Sequence, residues 1–121
     1  MTLAPGTTPF KLYSPGDWTD EDLQRFAREI DRDSPVDLGI VRAVKILRDA
    51  GFTTMESCQG GEGHSYPEPT IVFCGGPATG WKAIGELMTY GLPIRRFGEM
   101  WSMTYGHPTG PNWYVTFWRK V

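Results

Sequence analysis

The sequence predicts an α+β fold, a mainly antiparallel four-stranded sheet with helices packed on one face, in the order helix, then helix-strand-strand twice. Three observations carry this. Apolar residues recur three and four positions apart over residues 19–30, 35–47 and 79–90. Short runs rich in β-branched and aromatic residues occupy 52–58, 70–74, 99–105 and 113–119. Clusters of Gly, Pro and small polar residues punctuate the intervals between them.

Residues 1–16, with Pro5, Pro9 and Pro15, read as an irregular arm whose Phe10, Leu12 and Tyr13 dock on a single α+β domain spanning 17–121. Thr19 is a favoured N-cap, and Asp20, Glu21 and Asp22 suit the positive end of a helix dipole. Leu23, Phe26, Ala27 and Ile30 then share one helical face. Ser34-Pro35 is expected to open a second helix, with Ser as cap and Pro at the first helical position. Its inward stripe is Val36, Ile40, Val41, Val44 and Leu47, and Gly51 is its stop. Arg42, Lys45 and Asp49 fall on the opposite, solvated face. Phe52 to Cys58 and Thr70 to Cys74 form a strand pair joined by a Gly-rich segment. A third helix fits Thr79 to Tyr90, with Trp81, Ile84, Leu87 and Met88 inward. Glu99 to Tyr105 and Trp113 to Arg119 form the second strand pair around the turn signal of residues 106–111.

Bulk composition narrows the function classes. At 121 residues, with 40 % hydrophobic and 21 % charged residues, the chain suits one ordinary globular domain. A net charge of −2 argues against wrapping extended nucleic acid, which calls for a basic excess, yet leaves room for a small anion held by local arginines. No stretch approaches the ~20 apolar residues of a membrane helix, and Met1 to Pro9 has no basic region followed by an apolar run, so the expected location is the cytoplasm. Cys58 and Cys74 sit at opposite ends of the first strand pair, roughly 16 Å apart at strand rise, too far for a disulfide. Aromatic residues make up 13 % of the chain, and both faces of the last two strands are aromatic or apolar. One face meets the helices. The other, carrying Trp101, Met103 and Tyr105 in the third strand, is expected to meet the arm or a second subunit, making the protein a homo-oligomer.

The candidate chemistry lies in residues 51–64, where Glu56, Ser57, Cys58 and His64 accompany glycines just after a strand. Such glycines let backbone approach a ligand. Cys58 with His64 as base, and Glu56 nearby, is the constellation of a small thiol enzyme, although no nucleophile motif surrounds it and no second acid is placed to orient the histidine. Cys58, Cys74, His64 and His107 have the composition of a zinc site without its close ligand spacings, and no metal or other cofactor is expected. Residues 59–63 and 75–80 are glycine loops, the latter entering the third helix where free amides favour an anion. Neither is a P-loop or a dinucleotide fingerprint. Arg95-Arg96 offers paired guanidinium groups for phosphate or carboxylate. Gly63-His64 and Gly106-His107 each precede a similar strand, an echo that would bring both histidines to one pocket if it reflects duplication.

The segment 51–70 and the stretch Gly106 to Trp113 resemble those of small uncharacterised proteins of bacteria and their phages, a likeness that covers residues 34–118. Ser57-Cys58-x-Gly60 is also similar to the Ser-Cys-x-Gly signature of the wybutosine-synthesis methyltransferase family. The basic residue that follows that signature is replaced here by Gly61, so methyltransferase activity is not implied. The resemblance implies a shared fold and a phage or mobile-element origin, the setting of a counter-defence protein that sequesters a signal. The expected function is binding without catalysis. A small anionic or nucleotide-like ligand would meet Glu56, Ser57, Cys58, Gln59, the amides of Gly60 and Gly61, and His64, with Arg95, Arg96 and His107 approaching from the second half. A Cys58/His64/Glu56 enzyme and an inhibitory protein-interaction module using the aromatic face are the alternatives.

Overall fold

The computed structural model describes residues 18–121; the arm expected over residues 1–16, with its docking Phe10, Leu12 and Tyr13, lies outside them. The element order is α1 (Asp20–Ile30), α2 (Val41–Asp49), β1 (Thr54–Cys58), β2 (Thr70–Cys74), α3 (Pro77–Thr89), β3 (Ile94–Thr104) and β4 (His107–Phe117). The four strands form one antiparallel sheet in the order β1-β2-β4-β3, with the helices on one side, as the hydrophobic pattern requires. None of the helices is long and apolar enough to cross a membrane among the described residues.

Strand register sorts the two faces. Ile71 pairs with Val115 and Phe73 with Trp113, and these four, with Phe117, are buried against Ile40, Val44 and Leu47 of the α2 region and Ala83, Ile84 and Leu87 of α3. Helix α1 packs outside α2 through Leu23, Ala27 and Val41. It starts where local chemistry dictates: the Thr19 hydroxyl accepts from the Asp22 N–H (3.0 Å) while the Asp22 carboxylate accepts from the Thr19 N–H (3.1 Å). The Thr19 N–H foremost, then the Thr19 hydroxyl and the Arg25 guanidinium, hold the Asp22 carboxyl below its ordinary value.

Several element boundaries differ from the expectations. Helix α2 begins at Val41, not at Ser34-Pro35. The Asp31 carboxylate takes the N–H groups of Asp33 and Ser34 (3.0 and 3.1 Å) into a turn, and Asp37 and Gly39 bond to Gln59 beyond β1, so this stretch answers to tertiary partners rather than to a helix. The expected solvated face of α2 is also only partly so. Lys45 is half-buried, pairing with Asp49 (2.9 Å) and lying over the rings of Trp18 and Phe26 (5.0 and 4.7 Å). In α3 the buried stripe is Gly80, Ala83, Ile84 and Leu87, whereas Trp81 and Met88 are exposed. Gly80, lacking a Cβ, lets the helix sit close to Trp113, which Trp81 and Phe97 flank (6.2 and 6.4 Å between ring centroids). Strand β3 starts at Ile94, which places Arg95 and Arg96 inside it. Residues 107–111 belong to β4 rather than to a turn. The reversal is made by Tyr105 and Gly106, both at positive φ (51° and 81°), the backbone that matches the twist of a two-residue hairpin.

Candidate functional site

Three chain segments meet at the outer end of β1. Cys58, the last residue of that strand, is 5 % exposed. The Gln59 N–H after it donates to the Asp37 carboxylate (3.1 Å), and the Gln59 side-chain oxygen accepts from the Gly39 N–H (2.9 Å), so the connection between α1 and α2 is laced to the strand end. The loop then doubles back. The Gly60 N–H donates to Cys58 Sγ (3.4 Å), the Gly61 N–H to the Pro67 carbonyl (3.1 Å), and the His64 N–H to the Gly61 carbonyl (3.1 Å). This brings the His64 ring over the same point, Nδ1 3.6 Å from Asp37 Oδ2 and Nε2 3.4 Å from the Gln59 amide nitrogen. The donor atoms of Asp37, Cys58 and His64 all lie within 4.8 Å of one another.

The sheet face opposite the helices carries a second feature. Glu56 and Cys58 pair with Val72 and Thr70, and Thr70 and Val72 pair with Thr116 and Tyr114, which pair in turn with Arg96 and Gly98. All therefore share one face. The Gly-rich loop folds over its edge with Tyr66 and Glu68, leaving a groove of about 320 Å³ lined by these two together with Thr70, Val72, Arg96, Met100, Tyr114 and Thr116. Gly98 leaves room for the Tyr114 ring to lie across the strand, since a Cβ there would sit 3.1 Å from it. Glu68 receives Arg95 in a close ion pair and Arg96 at 3.8 Å. Arg95 also stacks over Trp118 (5.0 Å). Arg96, its side chain 57 % exposed, remains the cation most open to a ligand in the groove.

Tyr66 links the two features. Burial foremost, then the Glu56 carboxylate that it meets in a hydrogen bond, and last Cys58, push its phenol above the ordinary value of 10.0. A raised phenol favours the folded state below pH 10, and this contribution is lost as the pH climbs through the folded-state value. Tyr66→Phe is expected to remove that component from an alkaline unfolding series followed by tyrosinate absorbance. An unchanged alkaline limb would show that Tyr66 titrates as in the unfolded chain.

The predicted site residues thus divide. Cys58, Gln59 and His64 come together; Glu56 faces Tyr66; Arg95 and Arg96 converge on Glu68. Ser57 pairs with Ile71 and lines a different cleft with Asp37, Val44 and Arg48 on the helix side. The amides of Gly60 and Gly61, expected to face a ligand, are engaged within the loop. His107 does not join His64. Thr70 at the His64 end pairs with Thr116, and β4 from 107 to 116 spans about 30 Å, so the Gly-His echo places its histidines at opposite ends of the sheet. Both cysteines are free; Cys58 is buried and Cys74 partly so. Asp37, Tyr66, Glu68 and Tyr114 went unread as site residues; only Tyr66 and Glu68 carried a signal, their place in the loop. No protein-family model, curated protein or solved structure matches the chain.

Proposed function

We propose that the protein is a non-enzymatic binder of a small anionic, nucleotide-like ligand, held in the groove on the sheet face away from the helices. The observation that carries this is the grouping of two aromatic residues, Tyr66 and Tyr114, with the exposed Arg96 around one cavity of about 320 Å³, whose floor includes Thr70 and Thr116. That size lies in the range of small-molecule sites, and its mixture of apolar wall and few polar groups is their usual composition. The tyrosines suit a flat ring, and Arg96 suits a phosphate or carboxylate. The Gly-rich loop contributes a wall through Tyr66 and Glu68, in place of an anion cradle of amides. In the phage setting that the sequence resemblance implies, such a protein sequesters a nucleotide signal.

Native mass spectrometry of the protein purified from its expressing cells, followed by calorimetric titration of a nucleotide panel, tests the reading. A ligand that leaves on denaturation is expected. Arg96→Ala should weaken its binding at least tenfold, because a charge-assisted hydrogen bond is worth about 1.5–3 kcal/mol. Binding that survives Arg96→Ala unchanged, or no binding by any anion in the panel, would sink the proposal. A second reading, a protein-interaction module, rests on the ribbon formed where β3 and β4 run beyond β2, with Trp101, Met103 and Tyr105 all exposed on it. The same mass spectrum, by reporting a ligand-free oligomer, would favour that reading.

A further inference from the structure

We infer that Asp37, Cys58 and His64 form a binding site for one transition-metal ion of the zinc class, with a fourth position left for water or an exogenous ligand. The inference is independent of the groove. It starts from the donor set: a thiolate, an imidazole and a carboxylate are the three ligand types that a borderline-soft ion such as zinc combines, whereas magnesium and calcium select oxygen alone. The three come from separate parts of the chain, the α1–α2 connection, the end of β1 and the Gly-rich loop, and their donor atoms lie within 4.8 Å of one another. In a tetrahedral zinc site with ordinary bond lengths, donors stand about 3.4–3.6 Å apart. His64 Nδ1 and Asp37 Oδ2 are at 3.6 Å. The remaining donors, at most 4.8 Å apart, need to close by no more than about 1.4 Å, within reach of ordinary side-chain torsions.

The surroundings are those of a ligand set held in place from outside. The Gly60 N–H points at Cys58 Sγ (3.4 Å) and fixes the position of the sulfur. The Gln59 N–H steadies the Asp37 carboxylate from outside (3.1 Å). Cys58 is buried, while the His64 and Asp37 side chains remain about one third exposed (33 % and 35 %), which provides an entry path and the open fourth position. The spacing Asp37, Cys58, His64 matches no metal motif because the carboxylate comes from across the fold.

Cobalt(II) substitution tests the site directly. Adding Co²⁺ to the reduced, metal-stripped protein should give visible d–d bands of tetrahedral intensity with thiolate-to-cobalt charge transfer, saturating at one ion per chain, and Zn²⁺ should bleach them. Mg²⁺ should do neither. His64→Ala, at an exposed position, is expected to weaken cobalt binding at least tenfold, and Cys74→Ser to leave it unaltered. Circular dichroism checks that each variant is folded. Should His64→Ala fail that check, Asp37→Asn, which keeps the side-chain shape, carries the same test. Independently, Zn²⁺ should raise the melting temperature of the unmodified chain. Absence of charge transfer at saturating cobalt, or equal affinity in a folded His64→Ala or Asp37→Asn protein, would overturn the assignment.

Discussion

Gly60→Ala is expected to destabilise the protein by roughly 3 kcal/mol and to dismantle the meeting of Asp37, Cys58 and His64. Two costs combine. Gly60 is at φ +80°, where an L side chain strains the backbone by about 1–2 kcal/mol. A Cβ there would also stand 2.5 Å from the Pro69 nitrogen and 2.7 Å from Glu68 Cα, both main-chain atoms that cannot swing aside. Such overpacking typically costs about 1–3 kcal/mol, and less than about 1 kcal/mol returns from the stiffer unfolded chain. Gly63 supplies the control. Its φ is +81°, so the backbone cost is the same, yet nothing lies within 4 Å of the added carbon. Gly63→Ala should therefore cost only about 1 kcal/mol. Denaturant midpoints of the pair isolate the contact of the loop with Glu68-Pro69, and equal midpoints would mean that the loop does not pack as described.

Gly80→Ala should cost about 2 kcal/mol net, overpacking at the upper end of its usual range less about 1 kcal/mol of recovered helix propensity. The added carbon would overlap the indole ring of Trp113, whose Nε1–H donates to the Gly76 carbonyl (3.1 Å) and whose neighbours Phe73 and Phe97 leave it no free direction. Gly85 lies in the same helix with nothing within 4 Å, so Gly85→Ala should stabilise by up to about 1 kcal/mol. The two variants make the same chemical change, and their opposite signs, read by thermal unfolding and tryptophan fluorescence, measure the close approach of α3 to the sheet. Equal stability of the two would sink this account of α3 packing.

These positions also mark where the sequence was readable. The start of α1 was legible because Thr19 and Asp22 interact across three residues, and the core of α2 because Ile40, Val44 and Leu47 repeat at helical spacing. The stripe of α3 was misread toward Trp81 and Met88. Glycine carries no hydrophobic signal, yet Gly80 faces the core because a large ring already occupies the space. The hairpin at Tyr105-Gly106 hid behind a stronger Gly/Pro signal that instead lies in β4.

The site was half legible for the same reason. Cys58 and His64 stand six residues apart in a glycine-rich loop, so their neighbourhood followed from chain connectivity. Asp37 did not: it reaches them only because the connection between α1 and α2 trades helix hydrogen bonds for bonds to Gln59. His107 was separated from His64 by strand direction and register, which no local pattern encodes. Local pattern specified the helix-strand order, the antiparallel α+β class and the core stripes of α1 and α2, since periodicity and capping act within a few positions. Which loops share an end of the sheet, and which polar groups meet there, follows only from the folded arrangement. Those choices depend on strand register and on side chains competing for distant backbone groups.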